Sequence, residues 1–529
     1  MSVNSEVDSA GGFHRETAHS PESVRASGHT LDWDVKPSPF KIYPDLAPQA
    51  LERDLPALEI DALQALAGEG PPPRRLDLTA LAGLLFFSAG VIKRKTYPGG
   101  GEMYFRAAAS TGALYQTEVY VVAGDVAGLD RGVYHFSPGD FALRPLRPGD
   151  FRGALAVAAA DDAMASAEAT VALSGIYWRN TWKYRARGYR HLFWDAGTML
   201  ANLLAAATAL GRPARLVTGF VEREVNGLLG LEPDREGALV LVPVGGDGTP
   251  APPSPVVTPI PHRVIPLSAR EVDEPLLREA YAHSSLESEA EVMEWRDRPG
   301  RADSPEGEPP AWADPQAADA RAARPDTRMV ALPAPRMAAG RSLGATILAR
   351  GSSRQFSGEP IAVEELSTAL SHATRQTLAD VPSGLVDLYV TVHAVDGLAP
   401  GAYAYQRGGH ALEILKAGDF RKESAFLCLD QALGGTSSAT VFFLADLRVV
   451  LDRFGNRGYR LANLEAGLVG GRLYLAAYAQ RFGATGLTFY DADVVRFFSP
   501  HAAGKDAIFV VALGRAARGP VTTPLRVSL

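Results

Sequence analysis

Residues 128–151 read GLDRGVYHFSPGDFALRPLRPGDF, and residues 397–420 read GLAPGAYAYQRGGHALEILKAGDF. Aligned without a gap, 11 of these 24 positions are identical. The shared frame is Gly-Leu, then Gly-x-Tyr-x-aromatic, then Leu-x-x-Leu-x-x-Gly-Asp-Phe. It predicts two short strands joined by a polar turn, with a loop leading into a helix. A second pair of windows, GYRHLFWDAGTMLANLLAAATA from Gly188 and GYRLANLEAGLVGGRLYLAAYA from Gly458, keeps Gly-Tyr-Arg and Ala-Gly in register. Apolar positions after Ala196 and Ala466 recur at three- and four-residue spacing, the pattern of a packed helix. A third pair, EATVALSGI from Glu168 and SATVFFLAD from Ser438, reads as a buried strand. Three collinear matches mean that one fold occurs twice.

Working outward, 529 residues with 46% apolar and 21% charged residues supply ample core and exclude disorder as the main state. The reading is α+β: two tandem sandwich domains, residues 75–262 and 341–516, forming an intramolecular pseudo-dimer. An N-terminal arm (1–74) precedes them and a tail (517–529) follows. Between them, residues 263–340 hold one amphipathic helix over PLLREAYAHSSLESEAEVMEWR (275–296), then a disordered linker rich in Pro and acids. A net charge of -7 argues against a nucleic-acid partner. No apolar run reaches membrane-spanning length and no signal peptide is visible, so a cytoplasmic protein is expected. The one cysteine, Cys428, lies in apolar FLCLD. It excludes a disulfide framework or a paired-cysteine metal site and reads as a small core residue. No metal is expected.

The copies differ where polar chemistry resides. In ILARGSSRQFSGEP, Arg350, Ser352 and Arg354 alternate. In an extended segment they would face one way, two guanidiniums and a hydroxyl converging on one anion such as phosphate. The first copy has PPPRRLDL there, without the alternation. Conversely, the first copy carries a small-residue loop, Ser110-Thr-Gly112-Ala113, that lets a planar ligand approach the backbone. It also carries Lys183-Tyr184, where the second copy has Arg453-Phe454. Arg179, Arg185, Arg187 and Arg190 surround Lys183 in sequence, a crowd expected to depress the lysine pKa and favour a tyrosinate. Gln431, an amide, stands opposite Asp162.

With these motifs the chain resembles the FMN-dependent nitroreductase superfamily, and more narrowly the SagB/ThcOx/McbC-type azoline dehydrogenases, in a tandem-domain form. The resemblance covers most of residues 75–262 and 341–516. It implies FMN held across a two-fold interface. The second copy would bind the phosphate through Arg350, Ser352 and Arg354, with Arg515 beside them. Gln431 would meet the ring edge, and Thr488 and Phe489 would pass near the reactive nitrogen. The first copy would close the site with Ser110, Gly112 and Ala113 and present Lys183 and Tyr184 as catalytic groups. Only one of the two pseudo-equivalent sites would then work. The chain departs from the family at Gln116, where Pro is usual, at Thr198, where His is common, and at Phe489, where Gly is usual and persists as Gly219.

The expected function is oxidation of thiazoline or oxazoline rings to thiazoles or oxazoles in natural-product peptides. The substrate would be a peptide or small molecule bearing an azoline, with a cyclodehydratase or carrier protein as partner. The rivals are an NAD(P)H-dependent nitro or quinone reductase, a synthetase-linked thiazoline oxidase, and a flavin-free scaffold subunit.

Overall fold

The computed structural model describes residues 3–96, 102–246, 248–298 and 328–517. Most of the expected disordered linker and nearly all of the C-terminal tail lie outside these residues. Each copy builds one large antiparallel sheet and a small two-stranded one. In the first, the strand order is Gln49–Ala50, Ala142–Pro148, Gly132–Ser137, Thr117–Ala123, Ala169–Ile176, Glu236–Val244. In the second it is Gly483–Gly486, Asp506–Gly514, Ala439–Ala445, Asp387–Val392, Gly401–Gln406, Ala411–Ala417, Met329–Ala331. The windows 128–151 and 397–420 are the matching hairpins of the two sheets. The strands Ala169–Ile176 and Ala439–Ala445 are buried throughout, which explains their continuous apolar runs.

Two long helices, Gly188–Ala209 and Arg457–Ala479, cross at the centre of the molecule. The Ala-Gly motif repeated in both copies allows the crossing. A Cβ on Gly197 would lie 2.4 Å from the Leu464 carbonyl oxygen, and one on Gly467 would lie 2.3 Å from that of Trp194. Nearby, the Trp194 indole donates to Asn463 Oδ1 at 2.8 Å, and the rings of Tyr189 and Tyr459 stack.

The Gly-Tyr-Arg motif contributes a reciprocal pair of buried ion clusters. Arg187 and Arg190 of the first copy reach Asp491 of the second, at 3.0 and 2.5 Å. Arg457 and Arg460 of the second copy reach Glu222 of the first. Matching residues thus exchange partners across the pseudo-two-fold axis, as an isologous interface requires.

The N-terminal arm packs on this crossing. Phe13 meets Tyr189 and Tyr459 edge-on, and the His14 carbonyl accepts from Arg190. Further along, the indole N–H of Trp182 donates to the Asp32 carbonyl. The single helix expected over 275–296 is instead two, Pro275–His283 and Glu289–Asp297. Ser284 Oγ accepts from Arg460, the Leu286 amide donates to Glu222, and Ser288 caps the second helix. The buried cluster therefore competes with helix continuation and wins. Cys428 is fully buried, as expected of a core residue.

Replacing Gly197 with Ala forces a methyl against helix backbone and is expected to cost about 1–3 kcal/mol, read as a lower urea midpoint. Gly227→Ala, where nothing lies within 4 Å of the new methyl, should be neutral or stabilising.

Candidate functional site

The site lies on the seam where the first copy's Ser110 loop meets the loop after helix Leu343–Ala349 of the second. Arg350 ties the two together, its Nε donating to the Ala107 carbonyl at 2.8 Å and its Nη2 to that of Arg106 at 2.9 Å. The 350–354 segment is an irregular loop, not the regular extended run that the alternation predicts. Ser352 is half-buried with its hydroxyl 3.2 Å from Tyr474 Oη. Ser353 turns inward, its Oγ buried with the Tyr478 hydroxyl near it. Any side chain at Gly483 would strike that oxygen, at 2.2 Å. Arg354 is exposed, and its charge acts on both Lys183 and Tyr184. Groups read from separate copies are therefore brought together.

Lys183 and Tyr184 end the helix Tyr177–Tyr184, which Arg185 terminates by entering the left-handed region at φ 51°. Lys183 Nζ lies 5.2 Å from the Tyr184 ring centroid. The Tyr184 ring stands edge-on to His191, and its hydroxyl lies over Gly112 so closely that a Cβ there would be 2.8 Å away. Gly112 has φ 65°, so both backbone geometry and space favour glycine.

Asp195 on the central helix holds the small-residue loop. It accepts from Ser110 Oγ at 2.5 Å, from the Thr111 amide at 2.9 Å and from Thr111 Oγ1 at 2.8 Å. Two departures from the family pattern add ties: Thr198 Oγ1 donates to the Ala109 carbonyl and Gln116 Nε2 to that of His191. Ala113 sits in the left-handed region within this loop.

The remaining expected residues are more dispersed. Thr488 Oγ1 is 3.4 Å from His19 Nδ1 of the N-terminal arm, and Phe489 is buried between Trp194 and the Arg187 guanidinium. Arg515 pairs with Glu365 through Nη2. Gln431 donates to the Cys428 carbonyl at 2.8 Å.

The electrostatics correct the sequence reading in two respects. The arginine crowd is largely paired: Arg179 meets Glu118, Arg185 meets Glu274, and Arg187 and Arg190 share Asp491. Lys183 is still held below its ordinary pKa, but by burial first and Arg354 second. Tyr184 moves the other way. Burial and then Asp195 push its hydroxyl up, with Arg354 only partly opposing, so the expected tyrosinate gives way to a neutral phenol.

The twin crevice differs. Its Thr218 and Gly219 amides, which the helix starts at Glu222 and Asp491 match with Leu487 and Thr488, both donate to the buried Asp380 carboxylate. Glu465 takes the place of Asp195, accepting from the Gly384 and Leu385 amides. Asp195, Ser353, Tyr474 and His191 were not singled out from the sequence. Acids at matching positions of the two helices, Asp195 and Glu465, were the one available signal.

Fold and seam define a duplicated α+β protein with two unlike crevices between its halves. The Nitroreductase family matches residues 74–246 and 347–515, more than half of the chain, and the chain belongs to that family. A protein of Methanocaldococcus jannaschii named as a nitroreductase, MJ1384, is 30% identical over 171 residues, 32% of this chain and 81% of that one. The trifolitoxin-processing protein TfxB of Rhizobium leguminosarum bv. trifolii is 28% identical over 177 residues, 32% of this chain and 48% of its own length. The crystal structure of a nitroreductase-like protein from Anabaena variabilis superposes with a TM-score of 0.76 at 25% identity, covering 96% of this chain and 99% of that one. Among the described residues, no helix is long and apolar enough to cross a membrane.

Burial raises Asp195 to about 6 against its hydrogen-bond donors. Because the folded value exceeds the ordinary one, its protonated form favours folding, a contribution present below about pH 4 and lost as pH rises through about 6. The loop, in contrast, needs the ionised acceptor. Order in the Ser110–Thr111 loop is expected to rise through an apparent midpoint near pH 6, read as hydrogen-exchange protection of the Thr111 amide, and Asp195→Asn should abolish that midpoint.

Proposed function

We propose that the chain is an FMN-dependent peptide dehydrogenase that oxidises thiazoline or oxazoline rings to thiazoles or oxazoles in natural-product peptides. The observation that carries this reading is the seam itself, where Arg350 of the second copy donates to the Arg106 and Ala107 carbonyls leading into the Ser110 loop of the first, and Tyr184 lies over Gly112 of that loop. An anion-binding loop and a pair of proton-transfer groups from opposite copies then border one crevice. The residues fit FMN. Arg354, Ser352, Ser353 and Arg350 would hold the phosphate, the buried Ser353 hydroxyl giving that cradle an inward-facing polar atom. Arg515 is proposed as a flank that first has to share its guanidinium with Glu365. Ser110, Gly112 and Ala113 would back the ring, where the glycine permits close approach. Thr488, Phe489 and Gln431 are assigned to its edge.

Conversion of an azoline to an azole removes two electrons and two hydrogens. When bound, FMN supplies the two-electron acceptor. Lys183, with its lowered pKa, is the better base for the acidic ring C–H, since its neutral amine is populated closer to neutral pH than that of a free lysine. Tyr184, kept protonated by burial, donates a hydrogen bond to the ring heteroatom or to the adjoining carbonyl. Asp195 keeps the loop beneath Tyr184 in place.

The likeness to a toxin-processing protein supports a role in maturation. The likeness to a protein named as a nitroreductase favours the runner-up, an NAD(P)H-dependent reductase. Purified protein should be yellow and release FMN, with slow bleaching by NAD(P)H; rapid bleaching would instead support the reductase.

Lys183→Ala should retain FMN and lower azole formation by about 10²–10⁴-fold, the range for loss of a general base. Tyr184→Phe should cost less, about tenfold, the worth of one hydrogen bond. If Lys183→Ala oxidises its substrate at the wild-type rate, the assignment fails. Arg354→Ala should weaken FMN retention by about tenfold or more in a fluorescence titration, as expected for loss of a charge-assisted bond.

A further inference from the structure

The twin crevice is not simply a closed remnant. It contains two cavities that meet at Arg375, Thr377 and Arg472, residues lining both. The outer cavity, about 450 Å³, runs along the Gly68–Pro73 stretch and past Arg212. The inner one, about 50 Å³, is walled by Leu216, Val381, Leu461, Leu464 and Leu468. Its size suits one ring or a short chain, not three fused rings. Asp380 already occupies the Thr218 and Gly219 amides beside it.

The charges at the junction are weakly compensated among the described residues. Arg472 is 7% exposed, and its Nη1 donates to the Arg375 carbonyl at 2.7 Å. Among the described residues, no carboxylate lies within ion-pair distance of it. Glu465 is the acid it senses, yet that carboxylate accepts from two amides and faces Arg407 at 3.8 Å. Burial holds the Arg472 pKa down to about 10. In the outer cavity Arg212 is 6% exposed, with a buried Nε that has no partner and Asp77 only at 4.0 Å. Arg375 sits exposed at the mouth. Buried charge with little compensation is costly, so Arg472, with no carboxylate at ion-pair distance among the described residues, and Arg212, with Asp77 at 4.0 Å and the Leu210 carbonyl at 3.2 Å, favour an anion in the cavity they share.

The internal repeat sharpens the point. The first-copy counterpart of Arg472 is Asn202, whose amide donates to the Ala107 carbonyl at 3.1 Å. A neutral amide therefore makes this structural bond in one copy, and an arginine does so in the other. The positive charge at 472 exceeds what the fold needs.

We infer that the twin crevice is a binding site for a small organic anion, whose phosphate or carboxylate group sits between Arg472, Arg212 and Arg375 and whose apolar ring or chain enters the leucine-lined inner cavity. The site goes beyond the proposed flavin chemistry and does not depend on it. A ligand there would bear on both central helices, because Arg472 lies on one and Arg212 follows the end of the other.

Phenyl phosphate is the probe, titrated by calorimetry and thermal shift into the full-length protein loaded with FMN. The expected result is saturable binding with a rising melting temperature, without flavin release, and at least tenfold tighter than inorganic phosphate. Arg472→Asn, which copies Asn202, should weaken binding at least tenfold and raise the melting temperature of the anion-free protein. An Arg350→Ala, Arg354→Ala double variant, with its flavin cradle disabled, should still bind phenyl phosphate. The inference is overturned if wild type shows no saturable binding, if both phosphates bind equally, if Arg472→Asn binds as wild type, or if the double variant alone loses binding. Loss of flavin colour in that double variant tests the flavin reading separately.

Discussion

The structure depends on how closely two long helices can cross. Gly197 and Gly467 remove the side chains that would hold the backbones apart, and each lies against the carbonyl of its counterpart helix. Once the helices touch, Arg187 and Arg190 are carried into range of Asp491, and Arg457 and Arg460 into range of Glu222. Four buried guanidiniums would be prohibitive alone; paired with acids from the other copy, they become specific for this docking. Both crevices exist only because the halves are locked in this arrangement.

Duplication within one chain frees the two crevices to diverge, which an identical pair of subunits could not do. Here the first copy retains Lys183 and Tyr184 while the second has Arg453 and Phe454, and the second retains the Arg350–Arg354 loop while the first has a proline run. The useful groups therefore collect on one side of the axis. On the other, Asp380 accepts from the Thr218 and Gly219 amides, and Arg472 stands where the first copy has Asn202. Scaffold symmetry and functional asymmetry are compatible because the former resides in the helices and sheets, the latter in the loops.

The protonation states at the seam come from burial more than from neighbours in sequence. Lys183 and Tyr184 are adjacent and share the influence of Arg354, yet desolvation shifts them in opposite senses because one is charged when protonated and the other when deprotonated. The result is a lysine readier to accept a proton and a phenol that keeps its own. Four nearby arginines in sequence have little say, since each is paired with an acid that sequence distance conceals, two of them sharing Asp491.

The sequence by itself determined the duplication, the α+β class, the pairing of hairpin with hairpin and helix with helix, and which copy carries which polar motif. These are local patterns, and local patterns are written in residue spacing. It did not reveal that Ser353 turns inward where Ser352 was expected, that Asp195 anchors the Ser110 loop, or that the 275–296 segment breaks at Ser284–Ser288. Nor did it show that the arginines beside Lys183 are spoken for. Those outcomes were decided by the tertiary structure alone, because hydrogen-bond partners and desolvation depend on groups far away along the chain, as Asp491 is from Arg187 at a separation of 304 positions.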